Sequence, residues 1–162
     1  MKYKKTMNKS VIFIDFGGVY FFIDRPLVKK FSKMFGVPRK KIDDVLMGKN
    51  WTEYAEGRST DKKYWRNVSD VLGITERQTR DMRKEWYSLV PQDGMVNLVR
   101  KLKKKYRVAV LSSITAGWVE FLEKKYKISG EFHEQHYSFD HGIDKPNAEF
   151  FLRAAKRMNV NP

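Results

Sequence analysis

Residues 11–20 read VIFIDFGGVY. Val11 to Ile14 form an apolar run of strand length and Asp15 follows at its end. Gly17–Gly18 then lets backbone pass close to whatever Asp15 faces. A short apolar run closed by a turn signal predicts a buried strand of a parallel sheet. Open α/β sheets bind ligands beyond the C-terminal ends of their strands. Asp15 therefore stands where a carboxylate serves as nucleophile, metal ligand or both. The same residues also fit a plain strand and glycine turn in which Asp15 satisfies loop amides.

Downstream, Leu27, Val28, Phe31, Met34 and Phe35 recur at helical spacing after Pro26, and Gly36 closes the element. A second short helix is expected over 38–48, around Ile42, Val45 and Leu46. Ser59 or Thr60 is expected to cap a third, burying Tyr64, Trp65, Val68, Val71 and Leu72, and Thr75 to start a fourth with Met82, Trp86, Tyr87 and Leu89. Residues 26–90 thus read as an all-helical block. Pro91–Gly94 marks a return: a helix with Val96, Leu98, Val99 and Leu102, then a strand from Tyr106 to Leu111 ending at Ser112–Ser113. A helix near Ala116, a strand within 132–139 and a helix opened by Pro146 complete the order. That order predicts an α/β protein, a parallel sheet with a helical insertion after its first strand. The core domain is expected to comprise 1–19 and 91–162, and the inserted domain 20–90.

The chain has 162 residues, 33 Lys+Arg against 19 Asp+Glu, and a formal net charge of +14, which favours anionic partners. The basic residues are scattered over most expected helices and no nucleic-acid recognition motif accompanies them, so a small phosphorylated substrate is expected rather than nucleic acid. The absence of cysteine excludes disulfides and thiolate metal sites and fits a cytoplasmic location. No apolar run approaches the ~18 residues of a membrane span. The basic start MKYKKTMNKS lacks a cleavage pattern and does not read as a signal peptide.

In a parallel sheet, Asp15, the Ser112–Ser113 loop and the loop before Lys145 share one edge. A carboxylate, a hydroxyl before a helix and a lysine suit phosphoryl transfer, where the steps are attack, holding of the equatorial oxygens and charge compensation. Singly, Ser112 is an N-cap and Lys145 a surface lysine; the ordered set is what signifies. Asp15-Phe-Gly-Gly-Val, VAVLSS and SFDHGIDKP with Lys145–Pro146 together resemble the haloacid dehalogenase (HAD) superfamily of hydrolases, in its branch with a helical cap on a Rossmann-like sheet. The EGRST stretch at 56–60 is similar to a segment of such caps. The resemblance implies a phosphatase of small phosphorylated metabolites. Asp15 would be the nucleophile and a Mg²⁺ ligand, and the Gly17 carbonyl a second metal ligand. Ser112 and Ser113 would bind the phosphoryl group, and Lys145 would offset charge.

Two departures from that pattern carry expectations of their own. Many such phosphatases place an acid two residues after the nucleophile, where this chain has Gly17. Loss of general-acid help costs ~10²–10⁴-fold, least for good leaving groups. That points to activated phosphates such as sugar 1-phosphates, with Asp24 as a substitute acid or carbon–halogen attack by Asp15 as the alternative. Family members also continue into a further strand ending in an acidic pair. No such pair follows Lys145 here, and Asp43–Asp44 lies in the helical block. A missing strand predicts an exposed sheet edge, self-association through it, weak Mg²⁺ binding and low activity. A non-catalytic binder of phosphorylated ligands or nucleic acid on this scaffold is the remaining reading. His133-Glu-Gln-His136 is not the zinc signature, and His133, His136 and His141 are expected at the surface or an edge. Gly17–Gly18 is neither a Walker loop nor a dinucleotide fingerprint.

Overall fold

The computed structural model describes residues 10–23 and 26–161. In chain order its strands are β1 (Val11–Ile14), β2 (Phe21–Phe22), β3 (Val90–Pro91), β4 (Arg107–Ser112) and β5 (Glu134–Tyr137). Its helices are α1 (Leu27–Phe35), α2 (Arg39–Met47), α3 (Lys49–Ala55), α4 (Asp61–Leu72), α5 (Glu76–Tyr87), α6 (Asp93–Leu102), α7 (Ala116–Tyr126), α8 (Ser138–His141) and α9 (Ala148–Arg157).

β1, β4 and β5 form a parallel sheet in the order β1–β4–β5, with Ile14 opposite Val110 and Ser112 opposite Tyr137. Strand alternation sends Ile12 and Ile14 to one face with Val108, Val110 and Tyr137, beside Val99 of α6 and Leu122 of α7. Phe13 and Leu111 face the other way, onto Phe150 and Ala154 of α9. Both faces are covered, which is why β1 and β4 read as continuous apolar runs rather than as alternating ones. Among the described residues β1 is an edge of the sheet. No helix among them is long and apolar enough to cross a membrane.

Helices α1–α5 bury a core of their own, including Phe31, Ile42, Leu46, Tyr64, Val68 and Met82. Their starts are set locally: Thr60 accepts from Lys63 N at 3.2 Å, and Thr75 with Gln78 closes a capping box. The buried polar tips are satisfied, with Tyr64 OH donating to Leu46 O (2.8 Å) and Trp65 Nε1 to Tyr87 OH (2.9 Å). Trp118 of α7 joins the two cores. Its ring lies 5.7 Å from Trp51 and 5.6 Å from both Trp86 and Tyr87, and its Nε1 donates to Tyr87 O at 3.1 Å.

Val71, expected on the buried face of α4, is 40% exposed, that face being taken by Tyr64, Trp65, Val68 and Leu72, and two further features depart from the sequence reading. Where the chain leaves and re-enters the sheet half, β2 and β3 pair antiparallel, Phe21 with Pro91 and Phe22 with Val90. A pair of two-residue strands is set by that meeting and has no periodicity of its own to read. The histidines are the second correction, since only His133 is exposed. His136 and His141 are 2% and 6% exposed. The alternation of β5 turns His136 onto Phe13 (5.9 Å), and α8 brings His141 against His136 (5.5 Å) and Phe150 (5.1 Å).

Among the described residues the ring nitrogens of His136 and His141 have no hydrogen-bond partner. Burial holds both imidazoles neutral. His141 is pushed down to about 4, with Arg157, His136 and Arg153 adding to the effect. His136 is lowered by burial against the opposing pull of Glu134. Unfolded, both take protons near about pH 6.5. The unfolded chain then binds more protons than the fold below that pH, so stability is full above it and falls as pH drops towards the folded values. We expect the melting temperature to decline between about pH 6.5 and 4, and His141→Leu to flatten the decline. A calorimetric profile equally steep in both proteins would remove His141 as its source.

Candidate active site

Asp15 leaves the C-terminal end of β1, and Lys145 lies in the loop between α8 and α9, 130 residues along the chain. Lys145 Nζ donates to Asp15 Oδ2 at 2.6 Å and to the Leu111 carbonyl of β4 at 3.3 Å. The other carboxylate oxygen, Oδ1, accepts from Phe16 N at 2.7 Å. Lys145 is itself fixed by its backbone N–H, which donates to Asp144 Oδ1 (2.6 Å) and Ser113 Oγ (3.2 Å). Two strand ends and one loop therefore meet at a single ion pair. Its side chains remain 37% (Asp15) and 24% (Lys145) exposed, enough for a ligand to reach them.

Of the two expected hydroxyls, Ser113 is the one tied to Lys145. Ser112 ends β4, is buried, and makes no side-chain hydrogen bond among the described residues. Helix α7 begins where expected, with Thr115 as its N-cap residue; the Thr115 hydroxyl is buried without a partner. Ser138 pins the intervening loop, its Oγ accepting from Ile114 N and donating to Ile114 O, both at 3.1 Å. Free N–H groups at such a helix start favour anions.

Gly17 sits in the turn after Asp15, whose hydrogen bonds run from Tyr20 N to Asp15 O and from Val19 N and Phe21 N to Phe16 O. A Cβ built at Gly17 meets no atom within 4 Å. Glycine is therefore not required there by space. Asp24, the alternative acid, lies outside the described residues. Mg²⁺ needs about six oxygens, commonly one or two carboxylates with water and substrate phosphate supplying the rest. Asp15 and the Gly17 carbonyl are the candidates. Among the described residues no group of three His, Cys, Asp or Glu could hold a metal ion. These side chains alone do not make a metal site.

The helical insertion grips the start of α7. Tyr54 OH accepts from Gly117 N at 2.7 Å and donates to Asp61 Oδ1 at 3.1 Å. Tyr87 OH donates to the same oxygen at 2.7 Å, while Arg83 meets Oδ2 at 2.8 Å. A Cβ on Gly117 would collide with Asp61 Oδ1 and stand 2.7 Å from Tyr54 OH. The carboxylate cannot simply swing away, because three donors hold it. Gly57 makes a second close approach, its Cβ position lying 2.7 Å from the Phe139 carbonyl. We expect Gly117→Ala to lower unfolding free energy by about 1–3 kcal/mol, the usual cost of overpacking. Urea unfolding measures this, and a loss within error of zero would mean that the insertion does not bear on α7.

Asp15, Ser113 and Lys145 were named from the sequence and the structure brings them together; Asp144, which accepts from Lys145 N, and Ser138, Tyr54 and Asp61, which brace the loop and the start of α7, were not. Asp144 precedes Lys145 directly, and that adjacency is the one signal that could have been read. The others act across helix contacts that no spacing announces.

A family model described as haloacid dehalogenase-like hydrolase matches residues 10–162. An uncharacterised protein of Dictyostelium discoideum is 26% identical over 149 residues, covering 88% of this chain; the chain spans 64%, less than two thirds, of that relative's length. A HAD family enzyme from Bacteroides thetaiotaomicron superposes with a TM-score of 0.80 at 22% identity, over 95% of this chain and 80% of that one. In complex with magnesium and inorganic phosphate, the same enzyme gives 0.78 at 23% identity, over 95% and 81%. The L-2-haloacid dehalogenase of Xanthobacter autotrophicus, with chloropropionic acid covalently bound, gives 0.64 at 18% identity, over 95% and 66%. At these identities the solved structures establish a shared fold, whereas the family model spans the sheet, the insertion and the Asp15–Lys145 pair together. The chain belongs to the haloacid dehalogenase-like hydrolases.

Proposed function

We propose that this hydrolase is a phosphatase of a small phosphorylated metabolite, acting through an aspartyl-phosphate. The observation that carries the reading is the 2.6 Å contact of Lys145 with Asp15 beside the start of α7. In the first step an Asp15 oxygen attacks phosphorus in line, the new O–P bond forming as the bond to the leaving oxygen breaks. The departing alkoxide takes its proton from water, since Gly17 offers none. Lys145 keeps its ammonium against the other carboxylate oxygen and offsets the charge gathering on the phosphoryl oxygens. Ser112 and Ser113, at the end of β4 and on the loop that leads to α7, orient those oxygens. Water then attacks the acyl phosphate, releasing inorganic phosphate and the free carboxylate. The complex of a structural neighbour with magnesium and inorganic phosphate supports this reading and suggests Mg²⁺ as the cofactor.

Gly17 favours one second reading, dehalogenation by attack of Asp15 on carbon. A halide departs without needing a proton, so the missing acid costs nothing there. Release of phosphate from sugar phosphates and an aryl phosphate, with magnesium and with EDTA, tests the first reading. Release of chloride from 2-chloropropionate without phosphate turnover would establish the second.

A further inference from the structure

Helices α5 and α7 meet where the insertion joins the sheet half, and they leave between them a cleft of about 320 Å³. That is the lower end of the size range of small-molecule pockets, roughly 300–1,000 Å³. Its walls include the rings of Tyr87 and Phe121, whose centroids are 6.3 Å apart. Its rim carries Arg80 and Lys84 from α5 and Lys124 from α7, against a single acid, Glu120. Asp15, Ser112, Ser113 and Lys145 take no part in it, and it follows α7 from Gly117 to Lys124, away from the strand ends.

The rim cations are available. Arg83, which also borders the cleft, is committed to Asp61 and lies 5.7 Å over the Tyr87 ring. Arg80 meets only the exposed Glu76, at 3.7 Å. Among the described residues Lys84 and Lys124 have no ion-pair partner. Each lysine alone is accounted for as a last-turn cation that complements its helix dipole. That account does not explain why cations from two helices converge on one cleft with aromatic walls.

We infer that this cleft is a second binding site, separate from the Asp15–Lys145 centre, for a small anion with a planar aromatic body, of the class of a nucleoside monophosphate. The partly buried ring of Phe121 takes the ligand ring, above a floor to which Tyr87, only 1% exposed, contributes, and the rim cations take the phosphate. Such a ligand touches α5 of the insertion and α7 of the sheet half at once, so binding holds the two together and raises the melting temperature.

Titration calorimetry with AMP, in the Asp15→Asn protein so that no turnover intervenes, tests the inference without relying on any activity. One saturable site is expected, with adenosine and inorganic phosphate each binding at least tenfold more weakly. Lys84→Gln combined with Lys124→Gln, both exposed positions, should weaken AMP at least tenfold while lowering the melting temperature of the unliganded protein by no more than a few degrees. Lys145→Met should leave AMP affinity as it was. Binding lost with Lys145→Met but kept in the double lysine variant would place the nucleotide at Asp15 and overturn the inference. Absence of saturable binding at millimolar AMP would overturn it as well.

Discussion

We expect Asp15→Asn to lower the hydrolytic turnover of this protein by roughly 10⁴–10⁶-fold, the scale that follows removal of a covalent nucleophile, the role proposed for Asp15. Asparagine fills the same space and its carbonyl still accepts from Phe16 N, so the turn after β1 survives. What it loses is the anionic oxygen that attacks, and the carboxylate that pairs with Lys145 at 2.6 Å. The unpaired ammonium is partly exposed, so the loss of the pair costs stability little, on the order of 1 kcal/mol or less. Activity and stability therefore separate, with turnover collapsing while the melting temperature moves by a few degrees at most. Steady-state phosphate release and a thermal melt on the same preparation measure both. A variant that keeps turnover within about tenfold of the parent would show that Asp15 is not the attacking group.

Gly17→Asp acts in the opposite direction. We expect it to raise turnover of alkyl phosphates by about 10²-fold, within the usual contribution of general-acid help. The position accepts a side chain, since its Cβ meets no atom within 4 Å and its φ is not among the positive ones. The gain should fall on poor leaving groups, which need a proton, and largely vanish for an aryl phosphate that leaves as a stable anion. That difference between substrates distinguishes proton donation from a general improvement of the site. Equal gains on both substrates, or a loss on both, would contradict the idea. Under the dehalogenase reading, the same substitution gives no gain on phosphates at all.

The parts of the fold that could be read in advance are those whose physics is local. Val11–Ile14 and Arg107–Ser112 are apolar because both sheet faces are covered, and Thr60, Thr75 and Gly36 mark helix ends by their own chemistry. Asp15, Ser113 and Lys145 were legible because strand ends in a parallel sheet must share an edge. β2 and β3 were not, because Phe21 and Pro91 become strands only by meeting each other. His136 does lie on an edge strand, β5, but it is not at the surface, because Phe13 of β1 and His141 of α8 pack against its ring. Asp61 was read only as part of a helix. Its role comes from three donors, Tyr54 on α3 and Arg83 and Tyr87 on α5, which no sequence spacing connects.

The chain's four tryptophans are Trp51, Trp65, Trp86 and Trp118. Three belong to the insertion, and the fourth leaves α7 to lodge among Trp51, Trp86 and Tyr87. Intrinsic fluorescence is therefore blind to the sheet, and reports instead on the insertion and on whether Trp118 is still seated in it. Circular dichroism sees helices of both halves. If the halves separate before either unfolds, the emission will shift while the helical signal stands. Non-coincident curves from the two probes would then mark undocking rather than a partly folded chain.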